Sequence, residues 1–525
     1  MTDLLVQAAR VHGAPGADAV AIAGDGIKAV GPWDEIRSLD GEAVEVPGGL
    51  ILPGFQDAHI HTAEGGRVLS LCDLHDVSGL DAYLEALVAY AGRHPDRPWI
   101  EGGGWTMSDF PGGTPGREPL DAVVPDRPVF LESRDGHDAW VNTRALEAAG
   151  IDRGTPDPPK GRIGRGPDGE PSGVLHEAAA RLVADLLPEP SGPEWEEAIL
   201  SGQEHLLRLG VTAWQDVNVF PEWVEGYRRL ADEGRLIGRA TIGMHWEPGR
   251  GLEQVQELAA RRRSATGGRL RVETVKLFQD GIVENGSASM LEPYEGSDGR
   301  GESNFEPEEL NEIVTALDAE GFQVHVHAIG DRAVREALDA FGVARAANGI
   351  RDARHTIAHL QIVHPDDVSR FAELDVIPNG QPYWACLEPQ MVELTLPVLG
   401  SERSAQQYPF GSLLRSGASL AFGSDWTVST ADPLAEMAVA VSRRPPGEPE
   451  GEVFLPGERL TPAEAIAAFT HGSARVNRLE GVTAAIEPGR LADLVVVDRD
   501  IHEPGAMEEA RVALTIVGGQ VVHAR

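Results

Sequence analysis

Cysteine is nearly absent from this chain. Cys72 and Cys386 are the only two in 525 residues, and they lie far apart in sequence. A disulfide framework is thereby excluded as the source of stability, and the usage fits a reducing compartment. Positive charge is also in short supply: 45 Lys and Arg stand against 83 Asp and Glu, for a formal net charge of −38. Such a surface repels phosphate backbones and anionic headgroups, so neither nucleic acid nor a membrane is an expected partner. The acidic excess reads as a solubilising coat. No apolar run approaches the ~18–20 residues that a bilayer span needs. The N-terminal MTDLLVQAARVHG lacks the basic and then apolar regions of a signal peptide. The expectation is a cytoplasmic protein that handles a small molecule, with a homo-oligomer left open.

What is present has two textures. Residues 1–52 and 475–525 are short alternating apolar stretches split by Gly, Asp and Pro, such as AVAIAGDGIKAVG and RVALTIVGGQVVHA. Their similarity predicts one small β-sandwich domain built from both termini. Between them, over 53–474, short apolar runs alternate with amphipathic stretches. The runs include RPVFLES, VTAWQDV, RATIGMHW, ETVKLFQDG, FQVHVHAIGD, RHTIAHLQ, VIPNGQP and SLAFGSD. That alternation predicts an α/β fold whose parallel strands close into a (β/α)8 TIM barrel. A segment rich in Gly, Pro and Trp, about 95–195, breaks the rhythm. It is too long for an ordinary connection and is expected to be an inserted lid near the barrel mouth.

Catalytic groups of such barrels sit at the C-terminal ends of the strands. His59 and His61 end the apolar run LILPGFQDAHIH. They lie two apart on an extended strand, so both imidazoles face one point. Lys276 lies inside ETVKLFQDG; His327, His359 and Asp425 each end a run of their own. Together these are six metal-competent positions. A buried, unpaired ammonium costs several kcal/mol, so Lys276 is expected to be paired, neutral or modified. Carboxylation by CO2 would turn it into an anion able to bridge two metal ions. His325 shares a face with His327, and spacing alone leaves it as a further candidate ligand.

Several motifs occur in order along nearly the whole chain: PGFQDAHIH, GGGWTMSDFPGG, DGHDAWVN, DGEPSGVLHEAA, HAIGDRA, HLQ, GSDWTVSTADPL and IEPGRLADLVVVD. They resemble those of the amidohydrolase superfamily, in the branch of the N-substituted formamide deformylases. The resemblance implies that His59 and His61 hold a more buried metal with Asp425. It implies that His327, rather than His325, holds a second metal with His359, and that a carboxylated Lys276 bridges the two. An unmodified Lys276 would leave a single ion. Zinc suits the donor set best.

The implied reaction is hydrolysis of a carbon–nitrogen bond other than a peptide bond, in an N-acyl, N-formyl or related small amide. Metal-activated water attacks, and Asp425 shuttles the proton to the leaving nitrogen. His137 is a candidate oxyanion donor or substrate anchor. Trp105, Trp140, Gln381 and Trp384 are candidates for contacting substrate. The same scaffold also admits a cyclic amide or ester substrate, decarboxylase or isomerase chemistry, or a non-catalytic binding role.

Overall fold

The computed structural model describes residues 3–503 and 505–525. Its centre is a sheet of eight parallel strands: β1 (Phe55–Ile60), β2 (Val211–Val219), β3 (Arg239–His245), β4 (Leu270–Phe278), β5 (Gln323–Ala328), β6 (Thr356–His359), β7 (Ile377–Gly380) and β8 (Ala421–Phe422). Each strand pairs with its sequence neighbour in the sheet. Helices such as Pro307–Ala319 and Asp331–Asn348 cover the outside. Strands buried on both faces favour continuous apolar runs over alternation, and those runs marked them in the sequence.

The barrel closes through backbone hydrogen bonds just beyond β8. Asp425 N donates to His59 O at 2.7 Å, and His61 N donates to Trp426 O at 3.0 Å. Gly423 permits this approach, because a Cβ there would stand 2.4 Å from His59 N. Asp57, fully buried, fastens the same seam: its carboxylate accepts from His59 N at 2.9 Å and from Ser424 N at 3.1 Å. Closure of the barrel therefore sets Asp425 against the His59–His61 pair.

Both chain ends contribute to one pair of sheets. A four-stranded sheet uses Leu4–Gln7, Ala19–Ala23, Gly26–Gly31 and Glu42–Glu45; a five-stranded sheet joins Arg10–Val11 and Leu50–Pro53 to Leu494–Val497, Val512–Val517 and Gln520–Ala524. Leu4, Val6, Val20, Ile22, Ile51, Val496 and Ile516 fill one shared core between them.

The broken region is a folded insertion. It holds a six-stranded sheet in the spatial order Gly161–Arg165, Pro171–Glu177, Asp138–Val141, Val129–Ser133, Ile100–Trp105 and Cys72–Asp73. Alternation divides its side chains between two cores. Leu131 and Trp140 pack beneath the helix Leu80–Arg93, whereas Phe130, Ala139 and Val141 pack beneath Thr143–Ala149. Two expectations are corrected here. RPVFLES belongs to this inserted sheet and not to the barrel. The insertion starts at Cys72, well before 95, because Cys72–Asp73 and the helix 80–93 imitate an ordinary strand–helix unit of the barrel. Cys72 and Cys386 are buried and unpaired. Among the described residues no helix is long and apolar enough to cross a membrane.

Candidate metal centre

The C-terminal ends of β1, β4, β5 and β6 and the turn after β8 converge on Asp425. One carboxylate oxygen, Oδ1, lies 3.2 Å from His59 Nε2 and 3.0 Å from His61 Nε2; the other lies 3.7 Å from His359 Nδ1. The His327 ring sits 4.3 Å from that of His359, centroid to centroid. Lys276 Nζ lies 3.4 Å from His59 Nε2 and 4.8 Å above the Phe278 ring. His59, His359 and Asp425 each bring one ligand atom within 4.8 Å of the others. All six expected positions therefore meet in one place.

Backbone geometry supports this convergence. His359 and Asp425 both adopt left-handed φ values, +76° and +54°. Such conformations cost of order 1–3 kcal/mol in non-glycine residues, persist only where the surroundings enforce them, and cluster at functional sites. At His359 the enforcing group is Gln381: its Oε1 accepts from His359 N at 2.8 Å, while its Nε2 donates to Asn379 Oδ1.

Electrostatically the centre gathers imidazoles and one amine around a single carboxylate; burial works against the charge of His61, but the adjoining Asp425 prevails and raises it above the usual histidine value. Burial, aided by Lys276, pushes His59 down to about 3. Burial likewise holds His327 and His359 well below the usual histidine range. For Asp425, burial opposes the charge, but the hydrogen bond with His61, the one imidazole here that is raised, outweighs it and keeps the carboxyl well below its ordinary range. Lys276 is 1% exposed and, among the described residues, has no carboxylate within ion-pair distance; burial brings it down to about 7 against the pull of Asp425.

This donor set fits a cation. Both ring nitrogens of His359 and Nε2 of His327 are buried without a hydrogen-bonding partner. Leaving such groups unpaired costs about 1–3 kcal/mol each. Bare imidazole lone pairs turned toward a carboxylate are mutually repulsive in a dry interior unless positive charge lies among them.

The other candidates divide. His137 reaches the site, with its ring 5.9 Å from that of His327. Its Nδ1 donates to Glu177 Oε2 at 2.8 Å. Burial works against its charge, but Glu177, backed by Asp135 and Asp138, prevails and raises it to about 9. Trp384, half-buried, flanks the centre 6.2 Å from the His359 ring. Trp105 and Trp140 do not reach it. Both are fully buried in the inserted sheet's own core, and their indole N–H groups donate to Leu131 O and Gly116 O. An aromatic with no exposed surface and a satisfied N–H has nothing to offer a ligand. Gln381, expected to face substrate, has its buried amide bonded at both ends and supports the His359 backbone.

His325, left open by spacing, is resolved by its partners. Nε2 lies 2.8 Å from His59 Nδ1, and Nδ1 lies 2.7 Å from Gln215 Oε1. Both nitrogens are engaged, so it stands one layer behind His59. Asp57, Gln215 and Glu177 escaped the sequence reading as working residues. Asp57 and Glu177 sat inside quoted motifs, PGFQDAHIH and DGEPSGVLHEAA, where a charged residue amid an apolar run was the available signal.

The amidohydrolase family profile matches residues 42–523. Protein LONG AFTER FAR-RED 3 of Arabidopsis thaliana is 32% identical, over 97% of this chain and 89% of that protein. N-substituted formamide deformylase of Arthrobacter pascens is 26% identical, over 97% and 95%. The crystal structure of an uncharacterized metal-dependent hydrolase from Pyrococcus furiosus superposes with a TM-score of 0.73 at 28% identity, over 95% of this chain and all of that one. With this match over nearly its whole length, and with six metal-competent side chains gathered at the mouth of its barrel, the chain belongs to the amidohydrolase family.

Proposed function

We propose that the protein hydrolyses a carbon–nitrogen bond other than a peptide bond, in an N-formyl, N-acyl or related small amide. The observation that carries this reading is the pair of unpartnered buried His359 nitrogens beside Asp425, whose carboxylate also meets His59 and His61. His59, His61 and Asp425 would hold one divalent ion, and His327 with His359 a second. Three histidines or two histidines with a carboxylate, plus an open position, suit zinc. When bound, the ion acidifies a water and polarises the scissile carbonyl.

The chain's own residues supply the rest. Asp425 is ionised and buried beside the site, so it accepts the proton of the attacking water and hands it to the departing nitrogen. The imidazolium of His137, held by Glu177, donates toward the carbonyl oxygen as negative charge gathers there. Lys276, with its amine brought toward neutrality by burial, can add CO2; the nitrogen loses a proton and becomes an anionic carbamate. That anion would supply the bridging ligand. Trp384 gives the pocket an apolar wall. The similarity to an N-substituted formamide deformylase favours a small N-formyl compound.

The test is a screen of the purified, metal-analysed protein against N-formyl amines, N-acyl amines, lactams and esters. Metal-dependent release of amine from at least one N-acyl class is expected. Turnover confined to esters, or unaffected by chelation, would overturn the proposal.

A further inference from the structure

A file of buried polar side chains runs from the floor of the barrel to His59. Gln323, at the start of β5, donates from Nε2 to two backbone carbonyls, Arg354 O at 2.7 Å and Val476 O at 3.2 Å. Its amide cannot flip, because an oxygen facing two carbonyl oxygens would be repelled. Gln323 Oε1 must therefore accept, and it does so from Thr274 Oγ1 at 2.6 Å and Gln215 Nε2 at 2.8 Å. With its nitrogen committed to Gln323, Gln215 turns Oε1 toward His325 Nδ1 at 2.7 Å. An amide oxygen only accepts, so His325 carries its proton on Nδ1, and its Nε2 is bare. That bare nitrogen accepts from His59 Nδ1 at 2.8 Å. His59 is left with a lone pair on Nε2, the nitrogen that faces Asp425 and Lys276. Gln215, Thr274, Gln323 and His325 are all at most 1% exposed, so bulk water cannot substitute for any link.

We infer that Gln323, Gln215 and His325 are positioning residues, a directional hydrogen-bond relay that fixes the tautomer of His59 so that Nε2 is always presented to the metal. The polarity of the whole file is dictated at its far end, by the two backbone carbonyls that hold Gln323. This rests on the reading of His59 as a metal ligand. A ligating histidine whose other nitrogen lacks such a partner loses affinity and ligand basicity.

Two measurements test it. Nitrogen-15 spectra of the histidine-labelled, metal-free protein should show His59 and His325 protonated on Nδ1, assigned by the signals lost in His59→Ala and His325→Phe. Zn2+ affinity, by competition with a chromophoric chelator, should fall about 10- to 100-fold in His325→Phe and Gln215→Leu. His325→Gln offers an acceptor to His59 and a donor to Gln215, so it should recover most of the loss. His325 protonated on Nε2 would overturn the relay. So would unchanged Zn2+ affinity in the folded Gln215→Leu variant with only a lower Tm, the result of a merely structural role. Both Nδ1 tautomers in a wild-type chain that binds no Zn2+ would support the relay and overturn the metal-site reading instead.

Discussion

The two His-x-His pairs of this barrel are identical in spacing and different in employment. His59 and His61 both turn Nε2 toward Asp425. Of His325 and His327, only His327 keeps a ring nitrogen without a hydrogen-bonding partner, Nε2, 3.7 Å from Asp280 Oδ1, while His325 is spent on hydrogen bonds to His59 and Gln215. The cause is depth. His61 lies one residue beyond the end of β1, and His59 two residues below it. In β5, His325 stands level with Lys276 and His327 level with Phe278. Residues two apart on a strand share a face but differ by about 6.6 Å along it. A pair at the rim can thus supply two ligands, whereas a pair set one step lower supplies one ligand and one support. Alternation identifies the face; only the register against neighbouring strands identifies the layer.

The largest effect that could break this contrast is at the rim. His59→Ala should abolish tight divalent-metal binding and reduce hydrolysis to background, measured by elemental analysis and by turnover on the substrate found in the screen. Retained metal would place the ligands elsewhere. Next comes Asp425→Asn, which keeps a ligating oxygen and removes the proton acceptor. With the histidines intact, metal content should stay near wild type while kcat falls at least ~100-fold, the low end for losing a general acid–base group. Near-normal turnover would move the proton transfer to another group, and His137 would be the first to test.

A third experiment sharpens the contrast between the barrel mouth and the inserted sheet. Trp105→Ala should lower stability by about 3–5 kcal/mol through loss of core packing. Metal content of the folded fraction should not change, because Trp105 is sealed in the insertion's own core. A change in substrate KM with unaltered stability would restore it to the pocket.

The smallest predicted effect concerns His137 and Glu177 in the metal-free protein. His137 is raised from its ordinary value to about 9, with Glu177 outweighing burial. A raised histidine pKa contributes stability that is fully present below about pH 6.5 and is lost as pH rises through about 9. Glu177→Gln should therefore destabilise by about 1.5–3 kcal/mol near pH 6, the usual size for a hydrogen bond to a charged group. The gap to wild type should shrink above pH 9. A gap independent of pH would show that the pair matters for packing and not for charge.

The barrel was legible because each of its strands is a short apolar run, and amphipathic helices separate several of them. RPVFLES has the same composition, and nothing local distinguishes a strand of the insertion from a strand of the barrel. The six metal-competent positions could be picked out because each is a polar group that a core would not tolerate without a reason, five of them near a strand end and Lys276 inside a strand. Trp105 and Trp140 misled because aromatics within a Gly- and Pro-rich stretch look like pocket lining. The stretch has a folded core, and its pairings, such as Leu131 with Trp140, are long in sequence and leave no local mark. Gln381 misled for a related reason. It does end a strand at the mouth, but its amide is consumed by the left-handed turn at His359, and that turn has no sequence signature in a non-glycine residue.

The most direct test of the metal-dependent account is removal and return of the metal. The wild-type chain should carry at least one divalent ion through exhaustive dialysis. Chelation should bring hydrolysis to background, and Zn2+ or another divalent ion should restore it in His325→Gln as well as in wild type, but not in His59→Ala. A chelated, metal-free wild-type enzyme that still turned over its amide at full rate would contradict the account.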